Sequence, residues 1–299
     1  MTLVRLLVSA AILALLFSRF APAEVLGVCL RAQPLWFGAG VAVYLASQIV
    51  SAIRWQRIAR AVGFATSRSQ CLRFYLIGMF FGLVIPSTIG ADGARALLLG
   101  RAPPGRARAL STVVFDRLVG LVTLFAVAVA ALLLGPTGTL PPSLVGGVAA
   151  VGSALVLAWA LAPRLARFLP PEARLRRLVD EDLAPYFRDG RLVAEAVALS
   201  LGVHGLQIAA QKLLTDAIGL HVSGSFVAVY HPLVALAAAV PLTVGGFGLR
   251  EAAYAYLLPH AGIGADDAIA LGLLWWAVGA LGGLLGGVVY GLGGDRLRS

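Results

Sequence analysis

Long stretches without a charged residue divide the chain into segments whose lengths suit membrane-spanning helices. Five such stretches occupy residues 32–53, 74–91, 118–163, 217–249 and 268–294. A helix needs about 20 apolar residues to cross the hydrocarbon core of a bilayer. The longest stretch has room for two spans, and its Gly135-Pro136 and Pro141-Pro142 pairs indicate a turn between them. The pattern therefore predicts an all-α polytopic membrane protein.

The composition supports this class and excludes several others. The 299 residues are 60% hydrophobic and 13% charged, with a mean hydropathy of +0.90, whereas a soluble domain carries about 25% charged residues. The net charge of +10 does not indicate a nucleic-acid partner, because the basic residues lie between the apolar stretches. Cys29 and Cys71 lie near opposite ends of one predicted span, and no Cys/His spacing is typical of a metal site. We therefore predict no disulfide, metal or cofactor.

The distribution of arginine predicts the orientation of the spans in a cell membrane, because cytoplasmic loops carry an excess of basic residues. Arginine is concentrated in segments 54–73, 101–117 and 164–191, and the C-terminus carries two more. Segments 135–142 and 252–265 contain no arginine. We expect the basic segments in the cytoplasm and the other two outside.

Two apolar stretches do not fit a simple crossing of the membrane. Segments 54–73 and 101–117 are both basic, so a single span between them would place one of them outside. The intervening stretch contains three residues that interrupt a helix: Pro86, Gly90 and Gly93. We predict a broken re-entrant hairpin that enters at about residue 74 and returns by about residue 100. By the same argument, 226–258 enters from outside, turns near Pro241–Gly248 and returns outside.

Six full spans complete the predicted topology. They lie at residues 4–20, 35–53, 118–134, 143–162, 192–215 and 267–291, with both termini in the cytoplasm. The first span also resembles a secretory signal, because Arg5 precedes an apolar run and Ala21-Pro22-Ala23 follows it. Arg19, between that run and the cleavage-like site, favours a retained helix. Cleavage would leave the remaining topology unchanged.

The two predicted hairpins contain the same sequence pattern. Residues 85–95 are IPSTIGADGAR and residues 240–250 are VPLTVGGFGLR, which align without a gap at an offset of 155 residues. The same offset carries two predicted spans of the first half onto spans of the second. We therefore predict one transmembrane domain over 1–299, built as an inverted-topology repeat of halves 1–135 and 136–299. Interrupted segments at matching places in two halves indicate the substrate site of a transporter.

Each repeated segment ends in an arginine, Arg95 or Arg250. An arginine inside a membrane is costly, its guanidinium group binds phosphate through paired donors, and the N-terminus of a helix favours an anion. We predict that the two arginines and the helix starts beside them hold one headgroup phosphate. Alternatively, each arginine neutralises a neighbouring acid, Asp92 or Glu251. These acids could instead carry protons during coupled transport.

Other polar and flexible residues complete the candidate site. Thr88 and Thr243 either satisfy backbone groups freed by the break or contact the substrate. The hairpin breaks are assigned to Pro86, Gly90, Gly93, Pro241, Gly245 and Gly248. His204, Gln207 and Gln211 form a polar stripe on one span, which predicts hydrogen bonds between helices or, alternatively, the lining of a headgroup path. Asp116-Arg117 predicts an interfacial ion pair. No phosphate-binding glycine loop or nucleophile spacing occurs, so no catalytic residue is predicted.

Two stretches resemble the signatures of a known family. IPSTIGADGAR, followed from Phe115 by FDRLVGL, and VGGFGLREAA are similar to those of the lysylphosphatidylglycerol synthase transmembrane (flippase-like) family. That family often has Asn in place of Gly82, a second Gly in place of Ala91 and a Ser/Pro pair in place of Thr243-Val244. The resemblance implies lipid translocation without the soluble aminoacyltransferase domain. The matching positions are Pro86, Gly90, Asp92, Arg95, Gly245, Gly248, Arg250 and Glu251.

Three functions follow as hypotheses. The first is a flippase or scramblase for a phosphate-headgroup lipid, either a phospholipid or a polyprenyl phosphate, with membrane lipids as partners. The second is a membrane-embedded transferase or hydrolase that acts on a lipid phosphate, with Asp92 or Glu251 as its base. The third is an accessory subunit of a glycosyl- or acyltransferase. A homo-oligomer or a lipid-modifying enzyme partner is compatible with each.

Overall fold

The computed structural model describes residues 27–84, 88–135, 140–165, 168, 170, 183–240, 243, 246 and 248–292, and this part of the chain is helical without strands. In chain order the helices are α1 (Pro34–Ala61), α2 (Arg68–Val84), α3 (Thr88–Leu99), α4 (Arg106–Leu134), α5 (Pro142–Leu165), α6 (Ala184–Phe187), α7 (Gly190–Ala217), α8 (Gly224–Ala239), α9 (Leu249–Leu257) and α10 (Ala265–Leu292). A 3₁₀ helix over Leu258–Ala261 follows α9.

Among the described residues, five helices are long and apolar enough to cross a membrane: α1, α4, α5, α7 and α10. They correspond to five of the six predicted spans, which confirms the prediction of a polytopic all-α membrane protein. The predicted span 4–20 and the signal-like segment lie outside the described residues.

Two of these helices extend well beyond their predicted ends, whereas the ends of the other three lie within three residues of the prediction. Helix α1 continues to Ala61 and α4 begins at Arg106, so six of the nine arginines in segments 54–73 and 101–117 lie on these two helices. Arginine favours the helical state, and each helix extends until a glycine with positive φ interrupts it. Gly63, with φ of +96°, follows α1, and Gly105, with φ of +107°, precedes α4. The longer helices therefore carry charged side chains into the helix packing.

The described helices belong to two compact units, each assembled from separated pieces of chain. The first-hairpin unit comprises Ser47–Ala126, Ala150–His204 and Gly282–Ser299. The second-hairpin unit comprises Met1–Ala46, Val127–Ala149 and Gly205–Leu281. We name them after the helix pairs they contain: α2 and α3 form the first hairpin, and α8 and α9 form the second.

The first hairpin is an antiparallel pair in close contact. A Cβ atom on Gly78 would lie 2.8 Å from Cγ of Arg95 and 2.9 Å from the carbonyl oxygen of Ala91, so only glycine fits there. Gly90 and Gly93 lie inside α3, which corrects the expectation that they interrupt a helix. Helices accept glycine at a cost of about 1 kcal/mol, and here the regular helix begins already at Thr88.

The second hairpin also pairs two short helices. Tyr230 of α8 and Tyr254 of α9 have ring centroids 6.0 Å apart within one buried apolar cluster. Gly248 immediately precedes helix α9 and caps it, and its φ of +87° suits glycine. The four hairpin helices have 17, 12, 16 and 9 residues. Each is shorter than the roughly 20 residues that cross a bilayer.

Candidate functional site

Five charged side chains meet in the first-hairpin unit. They are Arg54 on α1, Asp92 and Arg95 on α3, and Asp116 and Arg117 on α4. Three guanidinium groups face two carboxylates, so this charge cluster has a net positive charge. A cluster of this kind retains an attraction for anions.

Asp116 lies at the buried end of the charge cluster, with its side chain 1% exposed. Arg54 donates from Nε to Oδ1 of Asp116 at 2.8 Å, and Arg95 donates from Nη1 to Oδ2 at 3.3 Å. Arg54 also donates to Oγ of Ser200 at 2.7 Å. Because buried charges are tolerated only when paired, this shared carboxylate fixes both arginines.

Asp92 lies at the exposed end of the same cluster. Its Oδ1 accepts a hydrogen bond from Nη2 of Arg95 at 2.6 Å, and its Oδ2 accepts one from Nε of Arg117 at 2.9 Å. The side chains of Asp92 and Arg117 are 22% and 55% exposed. A partly exposed carboxylate therefore lies between two guanidinium groups.

Aromatic rings hold the Arg95 guanidinium group in place. Its Cζ atom lies 4.6 Å from the ring centroid of Tyr75 and 5.2 Å from that of Trp55. Trp55 is itself fixed, because its Nε1 donates to Oγ1 of Thr112 at 3.0 Å. Cation–π contacts with desolvated arginine are favourable, and planar guanidinium suits them better than ammonium. Arg95 is thus positioned by aromatic faces as well as by carboxylates.

The second hairpin has a smaller charged site at the start of α9. Glu251 is buried, and its Oε1 accepts hydrogen bonds from Nε and Nη2 of Arg250 at 2.9 and 2.7 Å. The backbone N–H of Gly248 donates a hydrogen bond to Oε2 of Glu251 at 2.8 Å, and this contact caps the start of α9. The Arg250 side chain is 11% exposed. Arg95 thus contacts Asp92, and Arg250 contacts Glu251, as expected if each arginine neutralises a neighbouring acid. Headgroup binding stays a prediction.

The polar stripe on α7 makes hydrogen bonds to other helices. In the first-hairpin unit, Nε2 of His204 lies 3.1 Å from the carbonyl oxygen of Gly120. In the second-hairpin unit, buried Gln211 donates to the hydroxyl of Tyr254 and accepts from that of Tyr230 at 3.4 Å. Gln207 is half-buried. These contacts match the hydrogen-bonding interpretation, and a role in lining a path stays a prediction.

The remaining candidate residues are only partly described. Thr243 is 5% exposed, and its Oγ1 has no hydrogen-bond partner among the described residues. Thr88 begins α3, but its side chain lies outside the described part of the chain. Three of the predicted break residues also lie outside it: Pro86, Pro241 and Gly245.

Sequence reasoning missed the central position of Asp116. The predicted pair Asp116-Arg117 does not form, since Asp116 contacts Arg54 and Arg95 while Arg117 contacts Asp92. One signal was present in the sequence. Four polar residues recur at helical spacing on one face of α1, and all are buried: Ser47, Gln48, Ser51 and Arg54. A polar face inside an apolar span indicates a buried polar partner.

Comparison with known proteins agrees with the two signature segments. No curated protein and no solved structure matches the chain. Residues 2–287 match the family described as the lysylphosphatidylglycerol synthase TM region. This match covers nearly the whole chain and includes both hairpins with their arginines. The chain therefore belongs to the lysylphosphatidylglycerol synthase TM region family.

Proposed function

We propose that this chain moves lipids with a phosphate-containing headgroup from one leaflet of the membrane to the other. Family membership supports the lipid class, because the family is named after the synthase of a phosphate-headgroup lipid. The observation that carries the proposal is the Asp92 carboxylate, which lies between the guanidinium groups of Arg95 and Arg117 at the exposed end of the charge cluster.

In this proposal Asp92 occupies the position that a headgroup phosphate takes during transport. Phosphate and carboxylate accept the same paired hydrogen bonds from guanidinium groups. The exchange replaces one anion by another, so the charge cluster never has to hold an uncompensated arginine. Arg95 stays in place when Asp92 leaves, because Asp116 and the rings of Tyr75 and Trp55 still hold it. The Arg117 side chain is exposed, so it can move and stay in contact with the phosphate during the exchange.

The second hairpin supplies a second position for the same headgroup. Glu251 binds Arg250 through one oxygen and the start of α9 through the other. When a phosphate replaces Glu251, the guanidinium group and the backbone N–H groups of the helix start both favour the anion. Transport then consists of two exchanges, in which the headgroup phosphate replaces Asp92 at the first hairpin and Glu251 at the second.

The helix order supports the proposed inverted repeat. Shifting α1, α2 and α4 by 155 residues gives 189–216, 223–239 and 261–289, which nearly coincide with α7, α8 and α10. The first hairpin also begins and ends at one place, because Arg73 of α2 and Arg101, just after α3, line the same cavity. Both findings favour a re-entrant hairpin over a simple crossing. Arginine on both sides of it favours cytoplasmic ends.

Cysteine labelling tests this topology. Single cysteines replace exposed residues at or just beyond the two ends of each hairpin, Ala61 and Ala107 or Ser225 and Ala261, in a variant whose native cysteines are alanine. We expect an impermeant thiol reagent outside intact cells to label positions 225 and 261. Positions 61 and 107 should react only after permeabilisation. Labelling of 61 and 107 from opposite sides of the membrane would show a simple span and exclude the inverted repeat.

Lipid redistribution in liposomes tests the function itself. We expect purified protein to change which leaflet holds a labelled phosphatidylglycerol, whereas protein-free liposomes should retain their asymmetry. The lipid should be recovered with its mass unchanged. Replacing Arg188, an exposed arginine outside the charge cluster, by alanine should leave the rate unaltered. A product of altered mass that is lost in Asp92→Asn or Glu251→Gln protein would instead identify an enzyme.

A further inference from the structure

A cavity of about 390 Å³ lies at the base of the first hairpin, where the chain enters α2 and leaves α3. Its inner wall is apolar and its rim is polar. The wall includes Phe64, Phe74 and Leu99, which are buried, and the rim includes Gln70, Arg73 and Arg101. This volume lies within the range of about 300–1,000 Å³ that is usual for small-molecule sites. None of the five charge-cluster side chains lines it.

Hydrogen bonds keep one side of the cavity in place. The carbonyl oxygen of Thr66 accepts from Nε2 of Gln56 and from Nε of Arg60, both at 3.1 Å. Gln56 and Thr66 are buried. Oγ1 of Thr66 also donates to Oε1 of Gln70 at 3.2 Å. The segment between α1 and α2 is therefore anchored, which makes the cavity a preformed one.

The charge of the lining is of one sign. Arg73 and Arg101 are its charged side chains, and no acidic side chain is present among the described residues that line it. Arg73 lies near the start of α2 and Arg101 lies just after the end of α3, and both side chains line the same cavity. Two guanidinium groups beside a cavity are suited to a phosphate group, since each has five N–H donors and can bind a phosphate in addition to another acceptor. An apolar wall behind them suits the glycerol and acyl portions of a lipid better than it suits a soluble ion.

We propose that this cavity binds an anionic phospholipid. The phosphate of the lipid headgroup lies between Arg73 and Arg101, and the glycerol and adjoining acyl portions lie against Phe64, Phe74 and Leu99. The bound lipid joins the two ends of the first hairpin and stabilises it. This site is separate from the charge cluster, and the lipid here is a resident ligand. The proposal therefore stands whether or not the chain transports lipids.

Thermal unfolding of the delipidated full-length chain in detergent tests this site. Dioleoylphosphatidylglycerol should raise the Tm in a saturable way, whereas dioleoylphosphatidylcholine and inorganic phosphate should not. The double variant Arg73→Ala/Arg101→Ala should require at least about tenfold more phosphatidylglycerol for the same rise, because two charge-assisted contacts are lost. Ala102→Trp, which fills the rim of the cavity without changing its charge, should have the same effect.

A matched control separates this site from a general effect of charge. Arg108→Ala/Arg188→Ala removes the same charge from exposed positions that do not line the cavity, and should behave like wild type. The Tm without lipid shows whether each variant is folded. Equal losses in the control, equal stabilisation by phosphatidylcholine, or full stabilisation by inorganic phosphate would each overturn the proposal. Arg95→Ala should keep the phosphatidylglycerol effect, so failure of transport and failure of this site are distinguishable.

Discussion

Asp116→Asn is expected to lower the free energy of unfolding by roughly 3–5 kcal/mol, the usual scale when one partner of a buried ion pair is removed. Asparagine has nearly the size of aspartate, so packing at this position stays almost unchanged. The loss arises because Arg54 and Arg95 both keep their charge in a buried place while their shared carboxylate disappears. Chemical or thermal unfolding of the purified protein in one detergent measures the effect.

The same substitution at Asp92 is the matched control. Asp92→Asn makes the same chemical change in the same charge cluster, but at a side chain that is partly exposed and beside exposed Arg117. Its cost should be about 1 kcal/mol or less, as for other solvent-accessible ion pairs. Adding Arg54→Gln to Asp116→Asn should recover part of the loss, because one unpaired buried charge is removed. Equal destabilisation by Asp92→Asn and Asp116→Asn would contradict the proposed burial of the cluster.

Arg95→Ala should reduce the initial rate of lipid redistribution in liposomes at least about a hundredfold while the protein remains folded. A hydrogen bond to a charged group contributes about 1.5–3 kcal/mol, and losing two such bonds to the headgroup gives a change of this size. Arg95→Lys should recover only a small part of the rate. Lysine keeps the charge, but its ammonium group lacks the planar fork that reaches two carboxylates between the rings of Tyr75 and Trp55.

Arg57→Ala is the control for this loss of transport. Arg57 lies one helical turn from Arg54 on α1, is exposed and makes a long contact of 3.9 Å with Glu195. Its removal should leave the rate near that of wild type. Arg250→Ala should resemble Arg95→Ala, because in the proposed mechanism the headgroup binds at each hairpin in turn. Near-normal transport by a folded Arg95→Ala/Arg250→Ala double variant would exclude the proposed exchange of phosphate at these arginines.

The sequence was sufficient to predict the helices but not all of their ends. Apolar length predicted five described spans, because crossing a bilayer requires it. Arginine misled the placement of two ends, since it marks cytoplasmic segments and also favours helices. Gly90 and Gly93 misled the placement of the first break, because a helix tolerates glycine and α3 contains both. The second break was predicted more accurately. Gly248 marks its end, since it directly precedes α9 and adopts a φ that favours glycine.

Side-chain pairing was predicted only where it is local. Asp92 and Arg95 are three residues apart, a spacing at which a helix brings side chains together, and Glu251 directly follows Arg250 in the sequence. Asp116 is 62 residues from Arg54, and no local pattern specifies that contact. The convergence of Arg73 and Arg101 on one cavity likewise depends on how tightly the hairpin closes. Such contacts follow from packing between helices.

The affinity of Asp92→Asn protein for a labelled anionic lipid tests most directly whether Asp92 holds the place of the headgroup phosphate. The measurement uses equilibrium binding in detergent, with Arg73→Ala and Arg101→Ala present in both proteins so that the cavity does not contribute. Asparagine removes the competing carboxylate and leaves Arg95 and Arg117 for the phosphate. We expect binding to become about tenfold tighter, a change of about 1.4 kcal/mol. Unchanged or weaker binding by folded Asp92→Asn protein would contradict the exchange of carboxylate for phosphate.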